Sequence, residues 1–148
     1  MGYTHYWGFK PAKRGETAKV NKLYRLAIRD CNKVIKAYQS KAIGYERLSG
    51  YSAYTDNYGG LKVNGKGDFM HEDFTMREHY RDNKADFCKT ARKPYDLIVV
   101  ACLTILKSRL KDYIDVSSDG QAINWQAGVE YASIVLDKAL SNPLEEKT

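Results

Sequence analysis

Three cations and a hydroxyl stand within five residues at Lys89-Thr90-Ala91-Arg92-Lys93, just before Pro94 and a run of apolar residues at helical spacing. A helix start carries unpaired N–H groups and the positive end of the helix dipole. An anion there gains backbone donors as well as Lys89, Thr90, Arg92 and Lys93. A phosphate or a carboxylate suits that chemistry. The competing role is structural, with the same cations paired to Asp86, Asp96 or surface acids. A second junction, Val116-Ser117-Ser118-Asp119-Gly120, has the same strand-to-helix form. Its Ser117, Ser118 and Asp119 can take a polar group such as a ribose hydroxyl, or can cap the helix that follows. If the two strands leading into these junctions are adjacent and parallel, both loops emerge at one sheet edge, where open α/β sheets bind ligands.

Near the start, Tyr3-Thr4-His5-Tyr6-Trp7 offers aromatic rings and an imidazole. Strand alternation puts Tyr3, His5 and Trp7 on one face, able to stack on a base or to form a core edge. His71-Glu72-Asp73 sets an imidazole beside carboxylates, the raw material of acid–base catalysis and also ordinary polar strand surface. If the chain is an enzyme, His5 or His71 is its general acid or base and Asp119 or Asp73 orients it. His5, His71 and His79 lack His-x-His or His-Glu-x-x-His spacing, so no metal is expected. Neither a phosphate-loop motif nor a dinucleotide fingerprint is present, and no cofactor is indicated. Cys31, Cys88 and Cys102 are odd in number and without Cys-x-x-Cys spacing, which fits reduced thiols, with Cys31 and Cys102 on apolar helical patterns.

The elements that must position these groups are readable in outline. Tyr3 to Phe9 alternates as a strand. Between Thr17 and Gln39, Val20, Leu23, Ala27, Cys31, Val34 and Tyr38 recur at three- and four-residue steps, an amphipathic helix. Residues 41 to 60, rich in Gly, Ser and Tyr, read as a long loop able to close over a site. Leu61–Val63 and Phe69–Met76 read as a hairpin joined through Asn64-Gly65-Lys66-Gly67, in which Asn-Gly supplies the positive φ angles of a tight turn. A short strand near Asp86–Lys89 leads to a helix opened by Pro94 and carried by Leu97, Ile98, Ala101, Cys102, Ile105, Leu106 and Leu110. Tyr113–Ser117 is the last strand. A final helix follows, with Trp125, Val129, Ala132, Leu136 and Leu140 on one face. The expected class is α+β: a single mixed sheet of about five strands packed by three helices, in the order β-α-β-β-β-α-β-α.

At 148 residues, with 43% hydrophobic and 28% charged side chains, the chain has the size and composition of a single domain spanning 1–148. Its net charge of +6 is uneven: eleven cations face four acids up to residue 60, and thirteen face fourteen acids beyond it. Lys19, Lys22, Arg25, Arg29, Lys33 and Lys36 concentrate this excess on the first helix, as a solvated face or as a surface for nucleic acid or an acidic partner. No leader is visible at the start. The longest apolar run, Leu97–Leu106, is half of the roughly 20 residues a membrane span needs, so a cytoplasmic protein is expected.

Gly2-Tyr3-Thr4-His5-Tyr6-Trp7, Phe87-Cys88-Lys89-Thr90-Ala91-Arg92-Lys93-Pro94-Tyr95-Asp96 and Val116-Ser117-Ser118-Asp119-Gly120 resemble segments of small uncharacterised bacteriophage and prophage proteins. The resemblance implies a phage origin and a host-cell cytoplasm. It also implies the setting in which small proteins counter bacterial defences, some by sequestering nucleotide signals. The expected function is therefore binding of a phosphorylated small ligand, a nucleotide immune signal among the candidates. A nucleotide-processing enzyme using the same pocket and a nucleic-acid or protein-binding module using the basic first helix are the alternatives. The oligomeric state stays open, a homo-oligomer included.

Overall fold

The computed structural model describes residues 2–41, 48–49 and 60–145. In chain order its elements are β1 (Thr4–Phe9), α1 (Thr17–Lys41), β2 (Leu48–Ser49), β3 (Leu61–Gly65), β4 (Phe74–Met76), β5 (Asn83–Lys89), α2 (Asp96–Leu110), β6 (Ile114–Ser118) and α3 (Ala122–Leu136). The class is α+β. The strands, however, form two three-stranded sheets, β5-β1-β6 and β2-β3-β4, and every neighbouring pair is antiparallel. The expected single mixed sheet is thus corrected. Strand alternation specifies faces and carries no information on which strand pairs with which.

β1 is central in its sheet. Thr4 lies opposite Lys89 on β5, and His5 lies opposite Cys88 on β5 and Ser118 on β6. β5 and β6 are therefore parallel to each other but separated by β1, not adjacent as the shared-edge reading supposed. Because both run antiparallel to β1, their C-terminal ends still meet beside its N-terminal end. His5, Trp7 and Phe9 are buried in the core, whereas Tyr6 on the opposite face is 40% exposed.

α2 is the central helix, packed by α1 on one side and α3 on the other. Ile98 through Leu106 are all at most 1% exposed, and Thr104 satisfies its hydroxyl on the Val100 carbonyl at 2.8 Å. Each large aliphatic side chain so buried contributes roughly 1.5–3 kcal/mol. α1 buries Val20, Tyr24, Ala27, Ile28, Cys31, Val34 and Ile35 and turns Lys19, Lys22, Arg25, Arg29, Lys33 and Lys36 outward. At Gly128 on α3, an added Cβ would stand 2.5 Å from Val100 Cγ1, so this glycine lets α3 approach α2 closely. One hydrophobic cluster takes in residues of both sheets and all three helices. Among the described residues no helix is long and apolar enough to cross a membrane.

Three local expectations are corrected. The β3–β4 connection is not a tight Asn-Gly turn, because Val63 pairs with Phe74 and the chain between them is long. The Asn64 side chain organises that connection instead. Its Nδ2 donates to the His71 carbonyl and to Asp73 Oδ1, both at 2.9 Å, while its Oδ1 accepts the N–H groups of Gly65 and His71. Pro94 lies in the turn ahead of α2, whose first residue is Asp96. The cap of α3 is neither Ser117, Ser118 nor Asp119 but a reciprocal pair, Gln121 with Asn124. Apart from Leu48, which pairs with Gly65, and Ser49, which pairs with Asn64, the loop expected to cover the site lies largely outside the described residues.

Candidate functional site

The two junction loops are pinned to the start of β1 by backbone. Thr90 and Ala91 donate their N–H groups to the Tyr3 carbonyl at 3.0 and 3.3 Å, and Asp119 donates its own to the Thr4 carbonyl at 2.9 Å. The Asp119 carboxylate returns the contact, accepting the Thr4 N–H at 3.1 Å and the Tyr6 hydroxyl at 3.0 Å. This bond to Asp119 raises the Tyr6 phenol above its ordinary pKa.

At the centre sits His5, fully buried, with both ring nitrogens engaged. Nε2 is 2.6 Å from Asp96 Oδ1 and Nδ1 is 2.8 Å from Ser118 Oγ. The same Asp96 oxygen accepts the Thr90 hydroxyl at 2.5 Å. A carboxylate only accepts, so Nε2 carries a proton, and in the neutral ring Nδ1 accepts the Ser118 hydroxyl proton. Carboxylate, imidazole and hydroxyl thus stand in the order of a nucleophile relay. Two features hold the relay still. Ser118 Oγ also accepts the Gly120 N–H at 2.9 Å, which occupies a lone pair that a nucleophile would need. The ring is clamped edge-on between Tyr3 and Trp125, at centroid distances of 5.0 and 5.1 Å.

The carboxylate end of this network opens into a recess of about 220 Å³ lined by Tyr3, Arg92, Lys93, Asp96, Asn124 and the small α3 residues Ala127 and Gly128. The Arg92 guanidinium lies 3.9 Å from the centre of the Tyr3 ring. Burial, and secondarily the Asp96 charge, pushes the Tyr3 phenol up, so it stays protonated at neutral pH. Ala91 and Arg92 both have positive φ, 51° and 58°, inside a turn closed by the Lys93 N–H on the Thr90 carbonyl. For residues with a Cβ each such conformation costs about 1–2 kcal/mol. That cost is spent where Arg92 is aimed across Tyr3, and strain of this kind gathers at binding sites.

The helix start itself does not work as expected. Asp96, Leu97 and Ile98 donate their N–H groups to the carbonyls of Lys93, Pro94 and Tyr95 in the preceding turn, and the Asp96 carboxylate occupies the first turn. An anion must therefore rely on the side chains of Arg92 and Lys93. Asp96 beside them offers an acceptor for a hydroxyl or N–H group.

Of the residues singled out from sequence, Tyr3, His5, Thr90, Arg92, Lys93, Ser118 and Asp119 come together. Trp7 points into the core against Phe74, at 5.2 Å. Lys89 lies on the outer sheet face, 5.7 Å from the Phe87 ring, and Ser117 faces the same way. His71 is held in the β3–β4 connection with Nδ1 2.7 Å from the Lys89 carbonyl, and Asp73 is occupied by Asn64 and Lys62. The carboxylate that orients His5 is Asp96, not Asp119. Sequence reasoning assigned no site role to Asp96, Asn124 or Trp125; Asp96 is 91 residues from His5, and no spacing rule links them. Among the described residues no group of three or more His, Cys, Asp and Glu side chains could hold a metal ion. All three cysteines are free and buried, and burial pushes the Cys88 thiol up to about 12. No family model matches this chain, nor does any curated protein or any solved structure.

Proposed function

We propose that the chain binds a small phosphorylated ligand in the recess between β1, α2 and α3. Arg92 and Lys93 hold the phosphate, and Asp96 and Asn124 accept or donate to a hydroxyl or base edge. The observation that carries this reading is the convergence of both strand-to-helix loops on the start of β1, with Arg92 strained into place over Tyr3 beside an open carboxylate. The recess is smaller than the 300–1,000 Å³ of sites that enclose a drug-sized ligand. It therefore takes one phosphate and the group next to it, with the remainder of a larger molecule outside. A nucleotide has the required pairing of anion and donors, and sequestration of a nucleotide immune signal by a phage protein is the finer form of the proposal.

Incubation with a panel of mononucleotides, cyclic oligonucleotides and ADP-ribose, followed by mass spectrometry of the free and heat-released fractions, tests it. Intact release of one compound is expected. Arg92→Ala should weaken retention roughly ten- to a hundredfold, as loss of a charge-assisted hydrogen bond does. No retention of any phosphorylated compound would contradict the proposal. The Gly120 N–H on Ser118 Oγ argues against a second reading, catalysis by Ser118–His5–Asp96, for which the panel would instead return a converted product that His5→Ala abolishes.

A further inference from the structure

The outward side of α1 carries a feature the Arg92 recess does not use. From Lys19 to Lys36 every exposed residue is a cation: Lys19, Lys22, Arg25, Arg29, Lys33 and Lys36, with no other exposed side chain among them. Steps of three and four residues keep the six within an arc of about 120° along about 25 Å of helix. The one acid of α1, Asp30, is buried, and its Oδ2 accepts Nε and Nη2 of Arg109 at 3.0 and 2.8 Å. Glu16, just ahead of the helix, accepts the Tyr113 hydroxyl at 2.5 Å. Like charges three and four residues apart repel, and a face that serves only solubility alternates the two signs. This stripe destabilises its own helix unless something of opposite charge covers it.

Midway along, the stripe widens. Arg29 and Lys33 line a recess of about 200 Å³ together with Arg109 of α2 and Lys138 just past the end of α3. Asp30 lies among them, and Asp137 precedes Lys138 in the chain, so four cations face two acids and the excess is positive. Three separate elements thus bring cations to one place, beside a rod of further cations on either side.

We propose that the outer face of α1 docks on the phosphate backbone of double-stranded nucleic acid, with one phosphate in the recess between Arg29, Lys33, Arg109 and Lys138. A duplex carries one charge per roughly 1.7 Å of its axis, so each cation along a straight 25 Å stripe finds a phosphate without bending the partner. The chemistry of the stripe selects this occupant. A protein interface is anchored on aromatic and apolar side chains, and none is exposed between Lys19 and Lys36. A helix that lies in a membrane surface buries its apolar side in lipid, whereas α1 buries Val20, Tyr24, Ala27 and Val34 in the core. Single strands are held by stacking bases on aromatic rings, which the stripe lacks. Contacts to phosphate alone carry no base information, so binding is independent of sequence. The docking face is separate from the Arg92 recess and does not rest on the ligand proposed there.

Fluorescence anisotropy with two short labelled DNA duplexes of unrelated sequence, over a series of salt concentrations, tests this. Both duplexes should bind alike, and the logarithm of the affinity should fall linearly with that of the salt, by about 0.9 per phosphate contacted. Replacing Lys22, Arg25 and Arg29 together by Ala keeps good helix formers on α1, and should weaken binding and flatten the slope by about 2 to 3. Arg29→Glu should weaken binding severalfold more than Lys89→Glu, the same change of charge on the outer sheet face. Thermal melts check that each variant is folded; the side chains replaced are exposed, so the fold does not require them. Absence of duplex binding at low salt, affinity indifferent to salt, or unchanged binding by the folded triple variant would overturn the proposal. Equal losses in Arg29→Glu and Lys89→Glu would also overturn it, by assigning the attraction to net charge. So would capture of an acidic peptide or of phosphatidylserine vesicles in preference to the duplex, which would give the face to another partner.

Discussion

Replacing Asp96 by Ala tests whether one carboxylate organises the site. Its Oδ1 accepts the Nε2–H of His5 and the hydroxyl of Thr90, and both donors are fully buried. Without Asp96 neither donor has a partner, and a stranded buried donor costs about 1–3 kcal/mol. Loss of an acid from the first turn of α2 adds about 0.3–1 kcal/mol. The sum is roughly 2–7 kcal/mol, a large part of the 5–15 kcal/mol that holds a domain folded. For a chain of this size each kcal/mol lowers Tm by about 2–4 °C. Urea unfolding followed by the fluorescence of Trp7 and Trp125 measures the loss directly. Asp96→Asn keeps an acceptor oxygen in the same place and should recover more than half of it. Stability of Asp96→Ala within about 0.5 kcal/mol of the wild type, the usual range for neutral surface changes, would refute the reasoning.

Gly120→Ala sets a Cβ 2.1 Å from the Tyr3 hydroxyl, so the ring that carries Arg92 must shift. Thermal melting should show a loss of about 1–3 kcal/mol, as overpacking does, together with weaker ligand retention. The native protein should resist thiol reagents near pH 8, because all three cysteines are buried, and should release three reactive thiols in denaturant, a count that a colorimetric titration gives. Stability should fall as pH rises above about 9. The Cys88 thiol and the Tyr80 phenol are both pushed up to about 12 by burial, so the unfolded chain loses these protons first and is stabilised relative to the fold. Melting temperatures between neutral and strongly alkaline pH check the sign, and a rise would contradict it.

What the sequence shows of this fold is what local periodicity controls. Val20 to Val34 mark the buried side of α1, and Tyr3, His5 and Trp7 mark the inner face of β1, because side-chain direction follows from the 3.6 and 2.0 repeats alone. Pairing is not local. Thr4, Tyr6 and Gly8 give no sign that β1 lies between β5 and β6, and this arrangement brings Thr90 and Asp119 to the same end of the sheet. The Asn64-Gly65 pair looks like a tight turn, yet Asn64 uses its amide to brace a longer connection against His71 and Asp73. The proposed anion site at the α2 start is legible in Arg92 and Lys93. It is misread in the backbone donors, since the turn through Pro94 and Tyr95 already satisfies them. The partner of His5 depends on a contact 91 residues away, beyond any spacing rule.

The most direct test of the central claim is a nitrogen–proton NMR titration of the labelled protein with the phosphorylated compound that it retains. The account predicts shifts gathered at Arg92 to Leu97 and at Asn124 to Gly128, lost in Arg92→Ala. Shifts that spare these residues, or that are confined to Tyr6 and Phe87 on the opposite sheet face, would place the ligand elsewhere and contradict it.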